Sequence, residues 1–168
     1  MSTTRHPAPR SSETSVQEAI RQTRPFRSLN QEALIALLLT TEAVKWPIQD
    51  MLADRHGLTL QQYNVLRILR GAGRTGLPTL EIAERMVERT PGVTRMIDRL
   101  EKKGLVSRER SVADRRQVFC RLTEEGRKVL RSLDAPTNAL DDQVMAALRP
   151  AELKTLIRLL NRVRNSLT

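Results

Sequence analysis

Apolar residues recur with helical spacing in several separated segments of the chain, which predicts a mainly α-helical protein. The longest segment covers residues 29–55, and its apolar stripe continues past Pro47, which is expected to kink the helix rather than end it. The other helices are predicted at residues 15–22, 60–70, 80–86, 91–103, 123–148 and 150–167. The best start signal is Thr90 as N-cap with Pro91 at the first helical position, and Gly104 is a suitable residue to end that helix.

The hydrophobic pattern changes its period after Gly104. Residues 105–108 and 118–122 have the pattern of strands, and residues 109–117 between them form a charged loop, which together predict a β-hairpin. The fold class is therefore mainly α with a small β-hairpin wing, an α+β arrangement.

The ends of the chain differ from its centre. Residues 1–12 are rich in Ser, Thr, Pro and Arg without apolar periodicity, which indicates a disordered basic arm. We expect residues 13–57 and 124–168 to be helical extensions of a central domain at residues 58–123. Leu34, Leu38 and Leu39 widen the apolar stripe of the first long helix beyond one partner surface, which suggests burial between two subunits. A homodimer is predicted.

Charge indicates the kind of partner. The net charge is +10, and residues 84–121 carry eleven Lys and Arg against six Asp and Glu, a local net charge of +5. A solvated basic surface is one interpretation; a polyanion bound by the central block is the sharper one. Aromatic residues make up only 2% of the chain, which argues against proteins that stack single-stranded bases and favours double-stranded DNA.

Other functional classes find little support in the sequence. Cys120 is the single cysteine and His6 and His56 are the only histidines, so no metal-ligand spacing is present and no cofactor is expected. No catalytic constellation or nucleotide-binding glycine motif is recognisable, so an enzyme is not expected. The longest apolar run, residues 33–39, is far too short to cross a membrane, and the chain starts with polar residues. A cytoplasmic protein without a membrane partner is predicted.

The two helices at residues 80–86 and 91–103 are joined by a short turn, as in a helix-turn-helix, whose second helix enters the major groove of DNA. Its apolar stripe must face the core, which leaves Thr94, Arg95, Asp98 and Arg99 facing outward. Arg95 is the best candidate to bind a guanine edge, and Thr90 suits a backbone phosphate. Because amphipathic helices that carry arginine are common, this helix alone is weak evidence.

The hairpin adds a second basic element directly after that helix. Its candidate DNA-binding residues are Arg108, Arg110, Asp114, Arg115 and Arg116. Such a wing can follow the phosphate backbone and insert an arginine into the narrow minor groove. The alternative is a charged loop that is merely solvated.

Four segments resemble the MarR (multiple antibiotic resistance regulator) family of winged helix-turn-helix regulators. They are LTLQQYNVL at residues 58–66, TRMIDRLEKKGLV at 94–106, DRR at 114–116 and LTEEG at 122–126. The resemblance covers roughly residues 29–160 in the family's order. Val112 stands where the family often has proline, which leaves the geometry of the wing tip open.

The resemblance implies roles that the residue pattern alone does not give. Arg115 or Arg116 would enter the minor groove, Asp114 would orient an arginine of the wing, and the N- and C-terminal helices would pair two subunits on a pseudo-palindromic operator. A small aromatic or phenolic ligand would release a repressor from DNA. The candidate pocket residues are Trp46, His56, Tyr63 and Arg67, although Trp46 and Tyr63 can equally be core residues and His56 a surface residue.

Three alternatives remain open from the sequence. One is a non-specific architectural DNA-binding protein, and another is a partner-binding protein that has lost its contact with DNA. The third is a redox-responsive regulator that uses Cys120, but a strand cysteine between Phe119 and Arg121 is more often a small buried hydrophobe.

Overall fold

The computed structural model describes residues 14–87, 92–110 and 118–167, and it confirms a mainly helical fold with a small antiparallel sheet. The arm predicted at residues 1–12 lies outside the described residues. The elements in chain order are α1 Val16–Ala19, α2 Leu29–His56, α3 Leu60–Gly71, β1 Leu77–Pro78, α4 Thr79–Arg85, α5 Val93–Lys102, β2 Val106–Arg110, β3 Val118–Leu122, α6 Glu124–Met145 and α7 Pro150–Asn165.

The chain divides into two compact units, Met1–Lys45 and Trp46–Thr168. In the first unit, the Ser15 side chain accepts a hydrogen bond from the Glu18 backbone N–H, and the Glu18 carboxylate accepts one from the Ser15 N–H. This reciprocal cap explains why α1 forms with a single turn. Helix α2 continues without a break past Pro47, as the sequence predicted.

The hydrophobic core of the second unit is built around α3, α5 and α6. Leu66, Ile97 and Leu130 are fully buried, one from each of these helices. Leu52 of α2 joins the same core, whose other members include residues of the strands, of α4 and of the connections between elements. An Arg70–Asp134 ion pair at 2.7 Å adds a contact between α3 and α6 at the surface.

The sheet has three strands in the order β1–β3–β2, so the predicted two-stranded hairpin was incomplete. The missed strand, β1, has only two residues, which is too short to show a period. Leu77 pairs with Cys120 across the sheet, and a Cβ at Gly76 would lie 2.4 Å from the Cys120 carbonyl oxygen. Gly76 also has φ +69°, so both its conformation and the close approach of β3 require glycine there.

Helix α5 begins later than the sequence predicted. Its N-cap is Gly92 rather than Thr90, because Gly92 adopts the left-handed conformation with φ +91° and the helix can start only after it. At the other end, the predicted stop at Gly104 is correct. Leu105 N–H donates to the Leu100 carbonyl and Gly104 N–H to the Glu101 carbonyl, the hydrogen-bond pattern of a Schellman motif. This corner directs the chain straight from α5 into β2.

The start of α6 is fixed against the same corner. Thr123 caps α6 through the Gly126 N–H, and its hydroxyl donates to the Gly104 carbonyl oxygen at 2.7 Å. A Cβ at Gly126 would lie 2.3 Å from the Leu105 carbonyl oxygen, so the two segments touch through their backbones. The end of α5, the sheet and α6 therefore hold one another in place.

Two of the outer helices keep much of their apolar surface exposed. No residue of α7 is buried, and Ile157, Leu159 and Val163 are exposed. On α2, Leu34, Leu38 and Leu39 are exposed as well. None of the helices within the described ranges combines the length and the apolarity that crossing a membrane requires.

Candidate nucleic-acid interface

Helix α5 separates an apolar side from a basic side. Val93, Ile97 and Leu100 are buried in the core, as their spacing predicted. Thr94, Arg95 and Arg99 are exposed, and among the described residues no ion pair holds either arginine. Two cations are therefore presented to solvent from a helix whose opposite side is fixed by packing.

Arg108 makes a contact that the sequence did not predict. The predicted strand ended at Arg108, but β2 continues to Arg110 and each of its residues pairs with one of β3, so Arg108 lies in the middle of the strand. The Arg108 guanidinium turns back onto α5, where Nη2 is 2.5 Å from the Asp98 carboxylate and 3.1 Å from the Thr94 carbonyl oxygen. Asp98, predicted as an outward-facing residue, is thus half-buried and paired within the protein.

The remaining predicted wing residues are Arg110, Asp114, Arg115 and Arg116. Arg110 is exposed at the end of β2, opposite Val118. Asp114, Arg115 and Arg116, together with the Thr90 of the turn before α5, lie outside the described residues. Next to the wing, Arg121 of β3 forms an ion pair with Glu109 and donates to the Thr75 carbonyl oxygen, so it is held within the sheet.

A cleft of about 340 Å³ opens between the start of α3 and the exposed side of α5. Its lining residues are Thr59, Gln61, Gln62, Gly92, Arg95, Met96 and Arg99. The sequence patterns did not predict that α3 lies at this surface. The signal available in the sequence was the Thr59–Gln62 capping box at the start of α3, in which the side chain of each residue accepts a hydrogen bond from the backbone N–H of the other.

Two contacts link the end of α2 to the end of α5 and to α6, and no pattern in the sequence predicted them. The Lys103 ammonium, directly after α5, donates at 2.6 Å to the carbonyl oxygen of Gly57, the residue that follows α2. The His56 Nε2 is 2.8 Å from the Ser132 hydroxyl of α6. When the Ser132 hydroxyl donates its one hydrogen to the Val129 carbonyl, its oxygen accepts from a protonated His56 Nε2.

The four candidate pocket residues have different surroundings. Tyr63 is buried, and the Arg67 guanidinium lies 5.8 Å from the centre of its ring. His56 makes the contact to Ser132 described above. Trp46 is 65% exposed, so it is not the core residue that one interpretation expected. Of the four, the structure brings Tyr63 and Arg67 together on adjacent turns of α3.

Cys120 is fully buried and lies 3.7 Å from the Thr79 hydroxyl. It has the environment predicted for a small hydrophobe of the strand. Within the described ranges, no cluster of three or more His, Cys, Asp or Glu side chains is arranged to hold a metal ion.

Within the described residues, the groups with shifted pKa values are at the starts of helices, and none of them belongs to α5. A hydrogen bond from Arg131 lowers the pKa of Glu124 at the start of α6. The Arg149 side chain, and then its backbone N–H, lower the pKa of Glu152 at the start of α7. These shifts belong to helix caps and ion pairs.

Comparison with known proteins returns one family. The model of the MarR family matches residues 58–118, the segment from two residues before α3 to the first residue of β3. The transcriptional regulator HosA of Escherichia coli O157:H7 is 30% identical over 109 residues, which cover 65% of this chain and 79% of HosA.

Solved structures extend the similarity to most of the chain. A MarR transcription factor from Planctomyces limnophilus is 39% identical with a TM-score of 0.62, and the match covers 82% of this chain and 98% of that one. A MarR family regulator from Streptomyces coelicolor, solved in complex with DNA, is 25% identical with a TM-score of 0.75. That match covers 88% of this chain and 94% of the other.

Proposed function

The chain belongs to the MarR family of transcriptional regulators, and we propose that it binds a pseudo-palindromic DNA operator as a homodimer. It acts as a repressor that a small aromatic or phenolic ligand releases from DNA. Residues 58–123 bind DNA, and the helices at residues 13–57 and 124–168 join the two subunits. The argument that this protein is not an enzyme rests on its membership of a family of transcriptional regulators. It does not rest on the absence of a catalytic group.

The observation that carries this proposal is the orientation of α5. Its apolar side is buried, so Arg95 and Arg99 have to point outward, and among the described residues no carboxylate neutralises them. An arginine on a helix in the major groove can donate two hydrogen bonds to guanine O6 and N7. We assign that contact to Arg95, and we assign backbone contacts to Thr94, Arg99 and Thr90.

The wing supplies the second contact. Arg110 is exposed at the end of β2, and we assign Arg115 or Arg116 to the minor groove with Asp114 orienting the wing arginine. The Streptomyces coelicolor relative was solved with DNA, which supports a duplex partner for this chain. One helix and one wing in each subunit, related by a two-fold axis, would read half-sites about 34–36 Å apart.

The exposed apolar residues of α2 and α7 support the homodimer. Leucines of α2 and Leu159 and Ile157 of α7 are exposed, and obligate subunit interfaces are built from apolar side chains of this kind. The family is dimeric, which agrees with this use of the helices.

For the ligand, Tyr63 and Arg67 are the favoured pair because an arginine beside a phenol ring can bind the carboxylate of an aromatic acid. Trp46 is the only tryptophan, so its fluorescence reports binding near it directly. We expect benzoate or phenol to change the Trp46 emission and to weaken binding to the operator. If neither compound changes operator binding, this part of the proposal loses its support.

The central experiment starts with the full-length protein and fragments of the host genome. Bound fragments are selected, and the affinity for a selected duplex and for a scrambled one is measured at several salt concentrations. A specific regulator should prefer its site by about 10³-fold or more, whereas an architectural DNA-binding protein binds both duplexes alike. Both lose affinity as salt rises, so only the preference separates them.

Arg95→Ala then tests the assignment within the site. We expect a loss of about 1–3 kcal/mol in binding free energy and a relaxed preference at one base position. Lys128→Ala removes the same charge from α6, where Lys128 pairs with Glu125, and should leave the preference intact. Equal weakening on every sequence by Arg95→Ala would contradict its assignment to a base edge.

A further inference from the structure

Helix α5 and strand β2 are joined by one arginine. The Arg108 Nη2 atom is 2.5 Å from Asp98 Oδ1 and 3.1 Å from the Thr94 carbonyl oxygen, and its Nη1 is 3.8 Å from Glu101 Oε2. We call this cluster the brace. We propose that Arg108 is a positioning residue that sets the angle between α5 and the wing, so that a duplex meets both in one geometry. This inference rests on the proposed DNA binding and deepens it.

The burial of Arg108 indicates that it serves the protein rather than a phosphate directly. Its side chain is 24% exposed, and its Nε is buried with no hydrogen-bond partner among the described residues. Val106, Arg108 and Arg110 share one face of β2, and their burial falls along the strand from buried to half-buried to exposed. Arg110 is therefore free for DNA, whereas Arg108 is enclosed.

The partners of Arg108 show what the brace controls. Thr94, Asp98 and Glu101 lie at positions i, i+4 and i+7 of α5, so they form one stripe along the helix. Arg95 and Arg99 form the adjacent stripe, displaced by one residue, or about 100° around the helix axis. Core packing already turns Arg95 and Arg99 toward solvent, and fixing the first stripe against β2 then sets the angle between α5 and the wing at which these two arginines meet a duplex.

An arginine suits this task better than a lysine. Its planar guanidinium can hold two acceptors at once in a set direction, whereas an ammonium group is a point charge on a flexible stem. Enclosed ion pairs of this kind contribute little net stability, because desolvation offsets the attraction between the charges. The brace should therefore affect geometry more than the stability of the fold.

Substitution of Asp98 distinguishes the two possible roles of Arg108, because one role predicts tighter binding to DNA and the other a weaker preference for the operator. If Arg108 binds a phosphate, Asp98→Asn frees the arginine and removes a negative charge near the DNA, so every duplex should bind more tightly. If Arg108 braces α5, the same change loosens the helix and lowers the preference for the operator. The substitution keeps the size of the side chain, so folding should survive.

The experiment uses full-length protein with a selected operator and a scrambled duplex, titrated by fluorescence anisotropy. We expect Asp98→Asn and Arg108→Met each to lower the operator preference by about 10-fold, while the scrambled duplex changes by less than about 3-fold. The double variant should be no worse than Arg108→Met alone, because the two residues act as one unit. Arg108→Lys, which keeps the charge but not the planar fork of donors, should restore part of the preference.

Two further variants calibrate these results. Arg110→Met should weaken both duplexes alike and lower the slope of affinity against salt, as expected for a phosphate contact. Lys128→Ala on α6 should change neither. Thermal unfolding by circular dichroism checks that each variant keeps its fold.

Two outcomes overturn the brace alone. One is an Asp98→Asn protein that binds both duplexes more tightly with its preference intact; the other is additive losses in the double variant. A wild-type protein that shows no preference among duplexes instead overturns the proposed function, and the brace with it. The wild-type measurement therefore tells the two failures apart.

Discussion

Helices α5 and α7 carry the same apolar spacing in different surroundings. Val93, Met96, Ile97 and Leu100 on α5 correspond in position to Leu153, Leu156, Ile157 and Leu160 on α7. Ile97 is fully buried in the core of its own chain, whereas Ile157 is 58% exposed and no residue of α7 is buried. An apolar stripe on a helix thus indicates that this face of the helix packs against another surface. The stripe alone does not show whether that surface belongs to the same chain or to a second copy.

The largest expected effect comes from placing charges on the uncovered stripe. Ile157→Glu with Leu160→Glu removes two apolar side chains from each subunit of the proposed dimer, four in all. Burial of each side chain contributes about 1.5 kcal/mol or more, so the association should weaken by about 6 kcal/mol. Sedimentation velocity should show a dimer for the wild type and a monomer with unchanged helicity for the variant. Lys154→Glu on the same helix serves as the control for added negative charge. A variant that stays dimeric would contradict the role of α7 as a subunit interface.

The two isoleucines give the next test because they share one position in the pattern. Ile97→Ala should lower the free energy of unfolding by about 2–5 kcal/mol, since it leaves a cavity in a closed core. That loss should be independent of protein concentration. The effect of Ile157→Ala should grow with protein concentration, because its proposed partner lies on another subunit. Urea unfolding at two protein concentrations measures both, and equal behaviour of the two variants would contradict the distinction.

Gly126→Ala tests how tightly the winged region is closed. Alanine normally stabilises a helix relative to glycine, but here a Cβ would lie 2.3 Å from the Leu105 carbonyl oxygen. We expect a loss of about 1–3 kcal/mol from the forced shift of backbone. Gly71→Ala, at the last residue of α3 with open space around it, is the matched control and should be neutral or slightly stabilising. A stabilising Gly126→Ala would mean that the α5–β2 corner can move.

Local signals in the sequence predicted the elements but not the contacts between them. The period of Val93, Ile97 and Leu100 placed the buried side of α5, and Gly104 marked its end, because both depend on neighbouring residues. The Arg108–Asp98 contact was missed because it joins a helix to a strand, and no spacing rule links residues across such a corner. The start of α5 was misplaced because Thr90 and Pro91 together form a strong helix-start signal, and only the left-handed conformation of Gly92 overrides it.

The smallest expected effect concerns the start of the exposed helix. The Glu152 carboxylate accepts hydrogen bonds from the Arg149 side chain and from its backbone N–H, and these lower its pKa below the ordinary value of 4.5. Because the pKa in the folded state is the lower one, the contribution to stability is complete above about pH 4.5 and is lost as pH falls through the folded pKa. Glu152→Gln should therefore lower the thermal midpoint slightly near neutral pH, and the difference from wild type should vanish in acid. Thermal unfolding followed from pH 7 to pH 3 checks this, with Glu84→Gln as the control for losing an exposed carboxylate. If the difference in thermal midpoint stays constant over that range, the charge of Glu152 is not its cause. The cap at the start of α7 would then act through the size or packing of the side chain.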